Sequence, residues 1–375
     1  MQHVVEEGVL FTPGTKERTK QFVKKEFEKR QNFVKSGRQF LDTFRTFIVD
    51  SVKDKSLTKE EGGAYFKEML HVILFYGQIN RPIINPEEIL TEGEFVILSE
   101  RFQGVFQKCK THLPTRPPYT VLLDAIVAIR KTRDAKDILR CLLDLTNKMD
   151  VTNHMGEKCG NNLVSTVISC CYFRKSADNY FGASVSCAAW QHRQIMIDIL
   201  CCKTWHKDIG WAVCVGNKYN LTAFIFPSGV HSMAFNIYSS AKAIIQERKI
   251  KLAEERLGDC LGTRSCEIAG ALRENGKLVP KEPCNKCFRM FPDINFDPNP
   301  KEHNKANWEY GNCAECESLS QLLNSDDQIV RNLDRTTFPQ SPEQLRNEKY
   351  DRLNQNLRKF EFRFEDTISY YNNQE

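Results

Sequence analysis

No run of 18 or more apolar residues occurs in this chain, which argues against a membrane span. The opening residues, MQHVVEEGVLF, lack a basic stretch followed by an apolar one, so a secretory signal is not expected and an intracellular location is. Neither G-x-G-x-x-G nor G-x-x-x-x-G-K-[ST] is present, which removes the usual signatures of dinucleotide and nucleoside-triphosphate binding. H-E-x-x-H is missing too, and with it the common metalloprotease signature. There is no internal repeat and no low-complexity segment, so neither a solenoid nor a disordered tract is expected.

Cysteine, by contrast, is abundant: 15 residues of 375. With nothing directing the chain to an oxidising compartment, clustered thiols read as metal ligands or small core residues more naturally than as disulfides. The adjacent pairs Cys170/Cys171 and Cys201/Cys202 fit the second use, because neighbouring residues converge poorly on one ion. Phenylalanine, at 24, outnumbers tyrosine and tryptophan together, which favours packing over surface recognition. The net charge of +5 is concentrated in residues 15–50, where ten Lys/Arg face five acids. Such a stripe can attract an anionic surface, but it is also the ordinary solvated face of an amphipathic helix.

Along the chain the pattern divides into three. Residues 1–150 are helical in character: Phe33, Val34, Phe40, Leu41, Phe44, Phe47 and Ile48 recur at helical spacing, and Thr58 with Glu61 forms a capping box. Further helices are expected near 120–132 and 135–148, and this half is a candidate surface for a protein partner. Residues 151–257 look mixed, with a β-hairpin expected over 211–226, where two β-prone runs flank Gly216 to Asn220. Residues 258–375 are loop-rich and then helical, with Ser341-Pro342-Glu343-Gln344 opening a last helix. The whole reads as α+β.

The strongest chemical signal lies in the third part. Cys284-Asn285-Lys286-Cys287 and Cys313-Ala314-Glu315-Cys316 are two C-x-x-C pairs separated by 25 residues. Zinc takes four tetrahedral ligands, and thiolate is its commonest structural one, so Cys284, Cys287, Cys313 and Cys316 are the expected ligands of a Zn²⁺ ion. Cys316, three residues after Cys313, would share its helix face and close the site. Cys260, Cys266 and His303 form a competing set.

The words Pro283-Cys284-Asn285-Lys286-Cys287 and Gly311-Asn312-Cys313-Ala314-Glu315 resemble the P-C-x-x-C and H/C-x-E signatures of the zinc-dependent cytidine deaminase superfamily, in its toxin-type form and in reversed order. The resemblance implies zinc on Cys284, Cys287 and Cys313, Glu315 as the general acid/base, and hydrolytic deamination of a nucleobase, free or within a nucleic acid. It also implies that the 151–257 and 258–375 regions share one α/β unit. The alternative is a non-enzymatic adaptor with a closed four-cysteine zinc site.

Overall fold

A computed structural model describes residues 15–152, 156–174, 176–187, 189–256, 262–272, 277–299, 308–362, 364 and 367–373. The N-terminal half is helical, as its periodicity implies. The leading helix, α1 (Thr15–Lys53), packs along α2 (Lys59–Gln78), with Phe33, Phe40 and Phe44 buried on its inner side. Thr58 and Glu61 make the expected capping box at the start of α2, the Thr58 N–H reaching Glu61 Oε2 at 2.8 Å. After three shorter helices come α3 (Pro118–Arg130) and α4 (Ala135–Lys148), each within two residues of its expected position.

A five-stranded sheet occupies the second half. Its strands are β1 (Val167–Phe173), β2 (Tyr180–Ala183), β3 (Val230–Tyr238), β4 (Lys277–Pro280) and β5 (Asn295–Asp297). The order across the sheet is β2–β1–β3–β4. The antiparallel β1–β3 pairing runs from Val167 opposite Asn236 to Phe173 opposite Val230. Strand β4 pairs antiparallel with residues 235–238 of β3, whereas β5 runs parallel beside residues 231–233. Because β3 has nine residues, it accommodates the two short strands end to end along its length. The sheet therefore draws strands from both sides of residue 257.

Between β2 and β3 lie α5 (Trp190–Ile199), continued by a π-helical turn over Leu200–Thr204, and α6 (Lys207–Tyr219). The second of these corrects the expected hairpin over 211–226. Trp211 to Val215 are all buried, and a run enclosed on every side carries no periodicity to tell helix from strand. Gly216 is no turn residue: a Cβ there would lie 2.6 Å from the Tyr310 ring. The helix ends instead at Asn220, whose left-handed conformation (φ 57°) closes the last turn. Of the second β-prone run only Phe224–Ile225 is extended, paired with Asp334–Arg335.

Beyond β3 come α7 (Arg264–Ala271), then α8 (Asn285–Met290) in the β4–β5 connection, then α9 (Ala314–Ser325) and α10 (Pro342–Arg358). Ser341 and Gln344 form the expected capping box of α10. Helix α9 lies across β1 and β2, and the Ser169 hydroxyl on β1 meets that of Ser318 on α9 at 3.1 Å. The approach is close enough that a Cβ on Gly182 would sit 2.4 Å from the Ala314 carbonyl oxygen. The Cys170/Cys171 and Cys201/Cys202 pairs are all buried, as small core side chains should be, and burial pushes their thiols up. No helix among the described residues is long and apolar enough to cross a membrane.

Candidate metal centre

Three of the four expected ligands meet. Cys284, Cys287 and Cys313 bring their sulfurs within 4.8 Å of one another. Cys284 Sγ lies 3.6 Å from Cys287 Sγ and 3.4 Å from Cys313 Sγ. For a metal–sulfur bond of about 2.3 Å, a tetrahedral site has sulfur–sulfur edges of about 3.8 Å, so the trio is spaced to hold a metal ion.

The two helices explain the convergence. Cys284 precedes α8 as its N-cap residue and Cys287 sits in its first turn, while Cys313 is the N-cap of α9. Both N-cap residues have the extended backbone usual at that position (φ −75°, ψ 161° and φ −82°, ψ 147°). Cys316 holds the same third position in α9 that Cys287 holds in α8, but it is packed into the hydrophobic core with Leu319 and its neighbours. Cys316 is fully buried in the core and does not belong to the converging group, so the fourth expected ligand stands apart.

Electrostatics at the trio favour a cation. Hydrogen bonds shared with Cys287 and Cys313 hold the Cys284 thiol well below its usual range, and the same bonds hold the other two well above theirs. Without a positive charge the cluster thus accommodates one thiolate between two thiols; three thiolates at this spacing require a metal ion.

The surrounding residues fix the second cysteine-bearing turn. The Trp308 indole N–H donates to Cys313 Sγ at 3.2 Å. Lys286 donates to the Trp308 carbonyl oxygen and holds its ammonium 5.0 Å from the Tyr310 ring centroid. Tyr310 in turn donates to Asn220 at the end of α6. Gln194 on α5 donates to Glu309 at 2.6 Å, and Arg352 on α10 lies 3.6 Å from the same carboxylate. Gly311 adopts φ 92°, and a Cβ there would meet Ile197 at 2.9 Å and Val213 at 3.0 Å, so only glycine fits the turn into Cys313.

Glu315 stands beside the sulfurs. It is 4 % exposed, and burial raises its carboxyl pKa, with the charge of Cys284 adding to the effect. A cavity of about 430 Å³ opens onto Glu315, Cys284 and Cys313. Thr166, Ser184, Arg193, Asn236, Lys281 and Asn312 complete most of its polar wall. Sequence reasoning missed this wall. Its residues come from β3, α5 and the segments around β1, β2 and β4, and no local spacing connects them.

Cys266 is disulfide-bonded, contrary to the expectation of reduced thiols, and Cys260 and His303 lie outside the described residues. Comparison with known family models, curated proteins and solved structures found no match to this chain.

Proposed function

We propose that this protein is a zinc-dependent hydrolase that deaminates a cytosine- or adenine-type base. The observation that carries the proposal is the meeting of three thiols beside a cavity that two of them line together with one buried carboxyl. Cys284, Cys287 and Cys313 would hold the zinc. A bound zinc ion supplies the activation of water for attack on the ring carbon that bears the amino group.

Glu315 has the remaining task. A buried carboxyl whose surroundings favour its protonated form is suited to hold a proton and pass it on. It would accept the proton released by the attacking water and deliver it to the departing nitrogen. A carbon–oxygen bond forms, the carbon–nitrogen bond breaks, one water is consumed and ammonia leaves. The separation of Cys316 from the trio favours this reading over the closed four-cysteine adaptor, since a three-cysteine site leaves one coordination position for chemistry.

The test is direct. Zinc-loaded protein is incubated with cytosine and adenine bases, nucleosides and nucleotides, and ammonia release is measured with the mass gain of the deaminated product. Glu315→Gln should keep its zinc and lose turnover. Equal turnover by that variant would remove Glu315 from the chemistry, and no turnover by the parent on any of these compounds would defeat the proposal.

A further inference from the structure

Two cationic side chains, Arg193 and Lys281, line the cavity that holds Glu315, Cys284 and Cys313. Arg193, in the first turn of α5, lines it, and no hydrogen-bond partner is found for its buried Nε among the described residues. Among the described residues Arg116 is paired with Glu68 and Asp124, Arg335 with Asp208 and Arg352 with Asp198, while Arg38, Arg133 and Arg264 donate to uncharged oxygens. No ion pair is found for Arg193 among the described residues. Lys281, which follows β4, brings a second cation to the same cavity, and Glu315 is the single carboxylate among the described residues of its wall. A guanidinium without a counter-ion at the wall of a cavity is matched by an oxyanion that can accept its forked N–H groups.

Resting on the deaminase reading above, we infer that the substrate carries a phosphate, and that Arg193 and Lys281 bind this phosphate while the base reaches Glu315 and the three cysteines. The substrate class is therefore a nucleotide, as a monomer or within a strand, and not a free base or nucleoside. The rival role for the two cations is to offset the charge of three thiolates around a dication. That role gives no preference between a nucleoside and its phosphate ester, so the two are separable by binding alone.

The experiment uses full-length, zinc-loaded Glu315→Gln protein, which should bind without turnover, and measures affinity by calorimetry. The probes are cytidine, adenosine, their 5′-monophosphates, and short single strands of deoxycytidylate and deoxyadenylate. At least one phosphate-bearing probe should bind ten-fold or more tightly than its nucleoside, and added salt should erode that difference. A monophosphate that outbinds the strand identifies a mononucleotide substrate; the reverse identifies a nucleic acid; either outcome supports the phosphate. Arg193→Gln and, separately, Lys281→Gln should each shrink the preference several-fold and leave nucleoside affinity in place. Two sites are tested so that a variant with a lowered melting temperature can be set aside. Equal affinity for nucleoside and phosphate ester, with metal content intact, overturns the inference and leaves the deaminase reading standing. Failure of every probe to bind overturns the inference, and the deaminase reading then rests on the turnover test with free bases.

Discussion

Thr120 on α3 donates its hydroxyl hydrogen bond to Glu317 Oε2 on α9 at 3.0 Å, joining the helical half to the helix that begins at the metal centre. The same carboxylate oxygen accepts the Ala183 N–H of β2 at 2.7 Å. Glu317 is fully enclosed by these elements, and burial raises its pKa to about 7 despite both donors. Its folded pKa exceeds the unfolded value, so the native state holds a proton that the unfolded state has released. Stability should therefore be greatest below about pH 4.5 as far as this group is concerned, and should fall as pH rises toward 7. The loss amounts to roughly 3 kcal/mol, because each tenfold change in proton affinity is worth about 1.36 kcal/mol. Glu317→Gln keeps an acceptor for both donors and removes the titration. Urea denaturation of parent and variant across pH 5–8 should show this decline in stability in the parent and not in the variant.

The metal centre makes a prediction about stoichiometry. Cys284→Ser, Cys287→Ser and Cys313→Ser should each lose most of the bound metal at sub-micromolar free zinc, while Cys316→Ala should retain one ion per chain. Elemental analysis after dialysis decides this. Metal loss from the Cys316 variant, with its fold intact by circular dichroism, would restore the four-thiolate site expected from sequence.

The two C-x-x-C pairs were legible because their spacing encodes geometry: a short turn brings residues i and i+3 to one ion. What spacing could not convey is that Cys316, placed in α9 as Cys287 is in α8, packs into the hydrophobic core and lies outside the converging trio. Helices α1, α2, α4 and α10 were equally legible, since each has a cap or a periodic apolar face. Helix α6 was not. Its Trp211–Val215 run is buried on all sides and β-prone in composition, and its identity is decided by tertiary packing against Tyr310 and neighbouring elements. The cavity wall was beyond sequence reasoning, because Arg193, Asn236 and Lys281 come together only through the sheet.

Trp308 tests how an outer partner tunes the sulfurs. Its N–H reaches Cys313 Sγ, and a donor to a thiolate stabilises the ligating form. Trp308→Phe keeps an aromatic ring and removes the donor. Zinc affinity, measured by competition with a chromophoric chelator, should fall about ten-fold, the lower end of the usual range for such partners. The stoichiometry at saturating zinc should stay at one.

Gly311→Ala should be costly for its size. The added methyl meets Ile197 and Val213 at contact distances of 2.9 and 3.0 Å, in a backbone conformation that disfavours L side chains. Strain of this kind costs about 1–3 kcal/mol, so the denaturation midpoint should drop. Because Gly311 leads directly into Asn312 and Cys313, zinc affinity should weaken in parallel.

Asp198 is wholly buried between Arg352, whose Nε donates at 2.8 Å, and Lys349, whose ammonium is 3.4 Å away. Asp198→Asn would leave both cations without their shared counter-charge. Removing one partner of a buried ion pair costs about 3–5 kcal/mol, well above the effect of an exposed pair. A melting-temperature drop no larger than that of Lys53→Ala, an exposed ion-pair control, would show that the cluster contributes little.

Residues 368–371 return to the helical half. Tyr371 stacks on the buried His71 of α2 with ring centroids 3.9 Å apart, and its N–H donates to the Leu113 carbonyl oxygen at 2.8 Å. During synthesis, α1 to α4 leave the ribosome long before these residues exist. The first half of the protein must therefore wait, one flank of α2 uncovered, until the second half has been made. A chain released early would expose that flank to chaperones and proteases.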